Sequence, residues 1–143
     1  GDMGLLHVPS DCGRTVSISA TGPLGWGIDP TVSLDTPAFY TNYGSAIDYA
    51  APGGNVDFDL YPNPGWWLDL VFSTYPGGWA WMAGTSMASP HVAGIAALIL
   101  QATPGASPNR VESILRGSSD DLGKPGRDPW YGLGRVNAAQ AVK

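Results

Sequence analysis

The stretch from Val92 to Leu100, VAGIAALIL, is the longest apolar run in the chain, and it limits the fold more than any other feature. With the residues before it, it reads as one helix over 86–102. Ala93, Ala96, Ala97 and Leu100 share one face at the spacing i, i+3, i+4, i+7, while Val92, Ile95, Leu98 and Ile99 fill the others. A helix that is apolar nearly all round is buried in a larger body. The run is too short to span a bilayer, and Gly94 interrupts it. The chain must therefore supply strands and helices to cover it.

Those partners can be read in part. RTVSISA, residues 14–20, alternates β-branched with small polar residues and reads as a strand. Residues 21–38 are rich in Gly, Pro and Thr and read as loop. A second short strand is expected near 46–50, broken at Pro52-Gly53-Gly54. Residues 55–70 hold two prolines, Trp66 and Trp67, and Asp57, Asp59 and Asp69, which suggests an irregular surface excursion. VFSTYPGGWAWM, residues 71–82, reads as a hairpin turning at Pro76-Gly77-Gly78. A second helix starts at Ser107 or Pro108, with a serine cap and proline at the first helical position, and stops at Gly117. Residues 131–142 read as a Gly-rich turn leading into a short helix capped by Asn137.

The 143 residues suit one domain, and 43% hydrophobic content is normal for a core. The 20 glycines and 13 prolines require many turns. A net charge of −5 with no run of Lys or Arg argues against nucleic acid or an anionic membrane as a main partner. Cys12 is the single cysteine, so an intrachain disulfide and a multi-Cys zinc site are excluded, and it is expected as a small buried residue. Gly1-Asp2-Met3-Gly4 shows no signal-peptide pattern.

Ser86 stands where the helix opens, in GTSMASPH. Position alone leaves two readings. Serine is a frequent N-cap, and a serine beside free helix N–H groups is also set up for nucleophilic attack, provided that a base takes its proton. The chain has two histidines, His7 and His91. His91 follows Ser86 by five residues, about 140° around a helix, and side chains at that spacing do not face each other. It reads as a packed histidine with a hydrogen-bond role. The G-x-S-x-G elbow does not fit either: Ala88 stands at its second glycine, and only His91 follows the serine.

Gly84-Thr85-Ser86-Met87-Ala88-Ser89-Pro90, followed by His91-Val92-Ala93-Gly94, closely resembles the active-site serine segment of the subtilisin-like serine proteases, the subtilases. NYGSAIDYAAPGG (42–54) resembles the family's segment ahead of that serine, and VFSTYPGGWAWM its preceding hairpin. YGLGRVNAAQAV resembles the closing segment of the domain, and VPSDCGRTVSISATG (8–22) the strand after the oxyanion-hole region. Only 55–70 departs, as an insertion. The resemblance implies an α/β fold, part of the subtilisin-like three-layer architecture with a parallel sheet flanked by helices. It implies Ser86 as nucleophile, with its backbone N–H in the oxyanion hole. The family's triad runs Asp, His, Ser along the chain. The segments that carry its Asp, its His and the oxyanion-hole Asn are not found here. Residues 1–143 are therefore expected to be the C-terminal half of a subtilase catalytic domain and inactive alone.

The expected function is serine endopeptidase, secreted or at the cell surface. Its partners are a protein or peptide substrate and the N-terminal half of the same domain, with no nucleic acid and no membrane span. A non-catalytic protease-like binding module and a half-domain that associates with itself stay open as alternatives. His7 lies where the resemblance places the pocket for the substrate residue before the cut, and a surface histidine is the alternative. No cofactor is required for the chemistry. A structural calcium on carbonyls of the Ser10–Thr15 loop stays open, with metal ligands unknown. Asp57, Asp59 and Asp69 match no EF-hand spacing and read as solvated surface acids. Trp66 and Trp67 form an exposed patch or cover a core edge, and 123–128 reads as a plain surface turn.

Overall fold

A computed structural model describes residues 8–10, 12–59 and 65–143, and His7 lies outside them. Strand β1 (Ile18–Thr21) pairs in parallel with β2 (Tyr49–Pro52), with Ile18 opposite Tyr49 and Thr21 opposite Pro52. Both strands sit a few residues later than the sequence suggests. Arg14 takes a left-handed conformation (φ 73°) that turns the chain before β1. Ahead of β2, Ile47 N–H donates to Gly44 O and Asp48 N–H to Ser17 O, so a turn occupies the expected start of the strand. Pro52 ends β2, where a missing N–H costs least.

Helix α1 (Thr85–Ala102) lies on this pair, with α2 (Pro108–Ser118) and α3 (Ala138–Ala141) beside it. Its buried residues are Ala88, Val92, Ile95 and Ile99, one stripe that meets Ala20, Tyr49 and Ala51 of the strands and Leu115, Val136 and Ala141. Each fully buried branched side chain contributes about 1.5–3 kcal/mol. The small residues of β1 and β2 let the helix approach closely. Burial all round is not observed: Leu98 and Leu100 are 44% and 47% exposed, and Ala93 and Ala97 are exposed too. The expectation failed because apolar content reads as burial only where an element covers it. Among the described residues, elements cover one stripe.

Ser107 caps α2 by accepting from Arg110 N–H, with Pro108 first in the helix. The helix runs one residue past Gly117. Asn137 caps α3 by accepting from Gln140 N–H. Strands β3 (Val71–Tyr75) and β4 (Gly78–Met82) form the expected hairpin, turning through Pro76 and Gly77 (φ 85°). Phe72 stacks on Trp79 and meets Trp81 at a tilt, with centroids 5.3 and 4.5 Å away.

Residues 55–70 are anchored at both ends rather than set loose on the surface. Asn55 is buried; its carbonyl oxygen accepts from Phe39 N–H and its amide donates to Gly22 O. Asp69 is 4% exposed, which corrects its reading as a solvated acid. Its two oxygens accept from Gly25 N–H (2.7 Å) and Trp26 N–H (2.8 Å), and these charge-assisted bonds offset the cost of burial. Gly65 adopts φ 87° and packs its backbone on Gly27, where a Cβ would lie 2.6 Å from Gly65 O. A 3-10 turn over Trp66–Asp69 holds Trp66 and Trp67 edge to face. Both are 36–41% exposed, so each tryptophan is partly covered and partly open.

Two further expectations are corrected. Cys12 is exposed, in a turn where its N–H donates to Pro9 O and its carbonyl accepts from Thr15 N–H. Asp128 is buried, so 123–128 is more than a surface turn. Asp128 accepts from Lys124, Trp130 and Tyr131 N–H groups and organises the chain up to Gly132. Arg135 bridges Asp35 and Asp120, tying the loop after β1 to the C-terminal segment. Among the described residues, no helix is long and apolar enough to cross a membrane.

Candidate active site

The N-terminal end of α1 is built on backbone. Gly84 is the N-cap residue, with no side-chain cap. Its N–H donates to Gly53 O at 2.9 Å, and its carbonyl accepts from Met87 and Ala88 N–H. Ser86 therefore does not cap the helix. It lies in the first turn and is exposed, and among the described residues nothing hydrogen-bonds its hydroxyl or accepts its N–H. The positive end of the helix dipole adds to the field there. Pro90 stands four residues on within α1 and has no N–H to give to the Ser86 carbonyl, so that peptide lacks its usual helical partner.

Gly53 makes the close approach possible. A Cβ on it would lie 2.5 Å from Ala20 Cβ, 2.9 Å from Gly84 O and 3.0 Å from the Tyr40 hydroxyl. That hydroxyl lies 2.7 Å from Gly53 O and 2.6 Å from Gly54 O. Burial pushes the Tyr40 phenol up to about 12, and the Gly84 backbone opposes this. Sequence reasoning passed over Tyr40, since a tyrosine after a phenylalanine in a loop carries no signal of what its hydroxyl reaches.

Ser86 opens onto a cavity of about 310 Å³, lined among others by Val71, Ala80, Met82, Met87 and His91. The inner face of the hairpin supplies one wall and α1 the other. His91 differs from expectation in two ways. It is exposed rather than packed, and it shares this cavity with Ser86, because Met87 and Pro90 span the arc between them. Its Nδ1 lies 2.7 Å from Met87 O, and a carbonyl only accepts, so the proton sits on Nδ1. No hydrogen bond joins His91 to Ser86 among the described residues, and no carboxylate pairs with it there. It does not stand in the base-and-orienter arrangement that activates a serine.

In the Ser10–Thr15 loop, the Pro9 and Ser10 carbonyls lie 3.1 Å from Thr15 Oγ1, and the Cys12 carbonyl also faces it. One hydroxyl proton serves three acceptors, an oxygen-rich cluster of the kind that suits calcium. Among the described residues, no group of three or more His, Cys, Asp or Glu could hold a metal.

Residues 3–134 match the model of the subtilase family. The chain is 38% identical over 130 residues to subtilisin Savinase of Lederbergia lenta, covering 90% of this chain and 42% of that protein. It is 35% identical to an extracellular protease of Xanthomonas campestris, covering 94% of this chain and 20% of that protein. The crystal structure of a lanthipeptide protease superposes with a TM-score of 0.77 at 33% identity, covering 96% of this chain and 44% of that one. The chain thus spans less than half the length of each of these relatives.

Proposed function

Because the chain belongs to the subtilase family, we propose that Ser86 is the nucleophile of a serine endopeptidase whose catalytic domain has residues 1–143 as its C-terminal half. The observation that carries this reading is the serine itself. It is exposed in the first turn of α1, with hydroxyl and N–H both unpaired among the described residues, and it opens onto an apolar cavity. A serine kept for stability would be tied into its own helix end. The Ser107 side chain of this chain is tied in that way.

In the proposed reaction, Ser86 Oγ bonds to a substrate carbonyl carbon as its proton passes to a base. The carbon–nitrogen bond then breaks and the proton goes to the leaving amine. Water attacks the resulting ester through the same base and regenerates the hydroxyl. The Ser86 N–H donates to the oxyanion in both steps. The substrate chain next to the cut lies along the cavity between the hairpin and α1. The base and its orienting carboxylate come from the N-terminal half of the domain, since among the described residues His91 makes no hydrogen bond to Ser86 and has no carboxylate beside it.

The exposed Leu98 and Leu100 on α1 fit a surface that this half covers. They equally suit a second copy of the chain, and light scattering separates the two. His7 is kept as a candidate in the substrate pocket. A structural calcium in the oxygen-rich Ser10–Thr15 loop would supply no chemistry. The site of action is outside the cell, as the name of the Xanthomonas relative has it.

The test is reconstitution. The 143-residue chain alone is expected to hydrolyse no peptide, and addition of the N-terminal half is expected to restore turnover that Ser86→Ala abolishes. Ser86-dependent hydrolysis by the purified chain alone would overturn the assignment of the base.

A further inference from the structure

Tyr40 lies in the loop before β2, half-buried, with its ring against the core. Its hydroxyl reaches out of that core to the turn after β2, at 2.7 Å from Gly53 O and 2.6 Å from Gly54 O. The same Gly53 carbonyl accepts from Gly84 N–H. Gly84 in turn is the N-cap of α1, two residues before Ser86, and its backbone also acts on the tyrosine hydroxyl. One phenol thus stands under the junction where the sheet hands over to the helix that carries the serine. No side-chain cap fastens this helix end. The junction is made of Gly53, Gly54 and Gly84, which bring no side chains of their own to hold it.

We propose that Tyr40 is a positioning residue for Ser86: its hydroxyl pins the Gly53–Gly54 turn against Gly84, and so sets where the first turn of α1 presents the nucleophile. This rests on Ser86 being the nucleophile. A small displacement of an attacking atom is expensive in rate, since attack needs reacting atoms about 3–3.5 Å apart and aligned. Burial keeps the phenol protonated, so the donor is present at ordinary pH. Its partners at the hydroxyl are the Gly53 and Gly54 carbonyls and the Gly84 backbone, and among the described residues no ionisable side chain acts on it.

The test uses the assembled protease, with both halves of the domain. Tyr40→Phe keeps the ring and removes the donor. At a temperature where both forms are fully folded, kcat is expected to fall about tenfold, the effect of one net hydrogen bond, with KM unchanged. A fluorinated tyrosine at the same position ionises at lower pH. It is expected to bring a loss of kcat on the alkaline side into measurable range, a limb that Tyr40→Phe lacks. A purely structural tyrosine would lower the melting temperature and leave both kinetic readouts unmoved. Ser86-dependent turnover that stays within twofold in Tyr40→Phe would overturn the role of Tyr40 alone. Full turnover in Ser86→Ala would remove the nucleophile, and this role with it.

Discussion

Ser86 and Asp69 are handled in opposite ways. Asp69 is nearly inaccessible, and each of its oxygens accepts from a backbone N–H of the 25–26 loop. Asp128 is treated alike, with three backbone donors. Ser86 stands at the positive end of an 18-residue helix with neither its hydroxyl nor its N–H engaged by any described residue. Where this molecule uses a polar group to hold loops together, the group is saturated. At the serine proposed to react, the group is left open among the described residues, and the backbone around it is tied through Gly84, Gly53 and Tyr40. A group already paired would have to break its bonds before reacting.

That contrast breaks most sharply at the serine. In the assembled protease, Ser86→Ala is expected to cut peptide turnover about a millionfold, the size of loss seen when a subtilisin loses its nucleophile. The melting temperature should stay unchanged, because no bond within the described structure is lost. A large fall in melting temperature would show that Ser86 is structural. Asp69→Asn should do the reverse. The amide can accept from one of the two N–H groups but meets the other with a donor, so chemical denaturation should show a loss of about 3 kcal/mol. Turnover per folded molecule should hold.

Gly53 is where the two kinds of region meet, since it touches both the sheet core and the Gly84 turn. Gly53→Ala is expected to cost about 2 kcal/mol in unfolding measurements, as an added methyl must push on Ala20 and on backbone. It should also lower kcat, and a stable variant with unaltered kcat would separate the two regions. The smallest effect concerns acid. The Asp120 carboxyl lies below its ordinary value of 3.8, first because Arg135 donates to it, with Asn137 adding to this. A lowered folded value gives stability that is present above the unfolded pKa and lost as pH falls through the folded one. Below about pH 4, unfolding should therefore ease by well under 1 kcal/mol, given how open the pair is. Arg135→Met should remove that dependence.

Much of the local structure was legible because its causes are local. Pro108 after Ser107, Asn137 before a run of small residues, and Pro76-Gly77 between two apolar stretches each act within a few residues. The residues around Ser86 carried both the helix and the resemblance to subtilases, which the family match then established. Reading Asp69 as solvated, Cys12 as buried and α1 as covered all round failed for one reason. Burial is a property of what lies across a gap, and the partner of Asp69 is a loop more than forty residues away in sequence.

The sequence by itself determined the family, because GTSMASP around Ser86 carries both a helix start and the subtilase pattern. It also placed His91 at a five-residue spacing that turns two helical side chains apart, although in the structure both border one cavity, with no hydrogen bond between them among the described residues. Only the tertiary structure decided that Gly84 rather than Ser86 caps the helix, that no described residue pairs with the serine, and that the Tyr40 hydroxyl reaches the Gly53–Gly54 turn. Those outcomes depend on where β2 brings the Gly53 carbonyl. That position is set by packing between segments distant in the chain, and no short stretch of sequence encodes it.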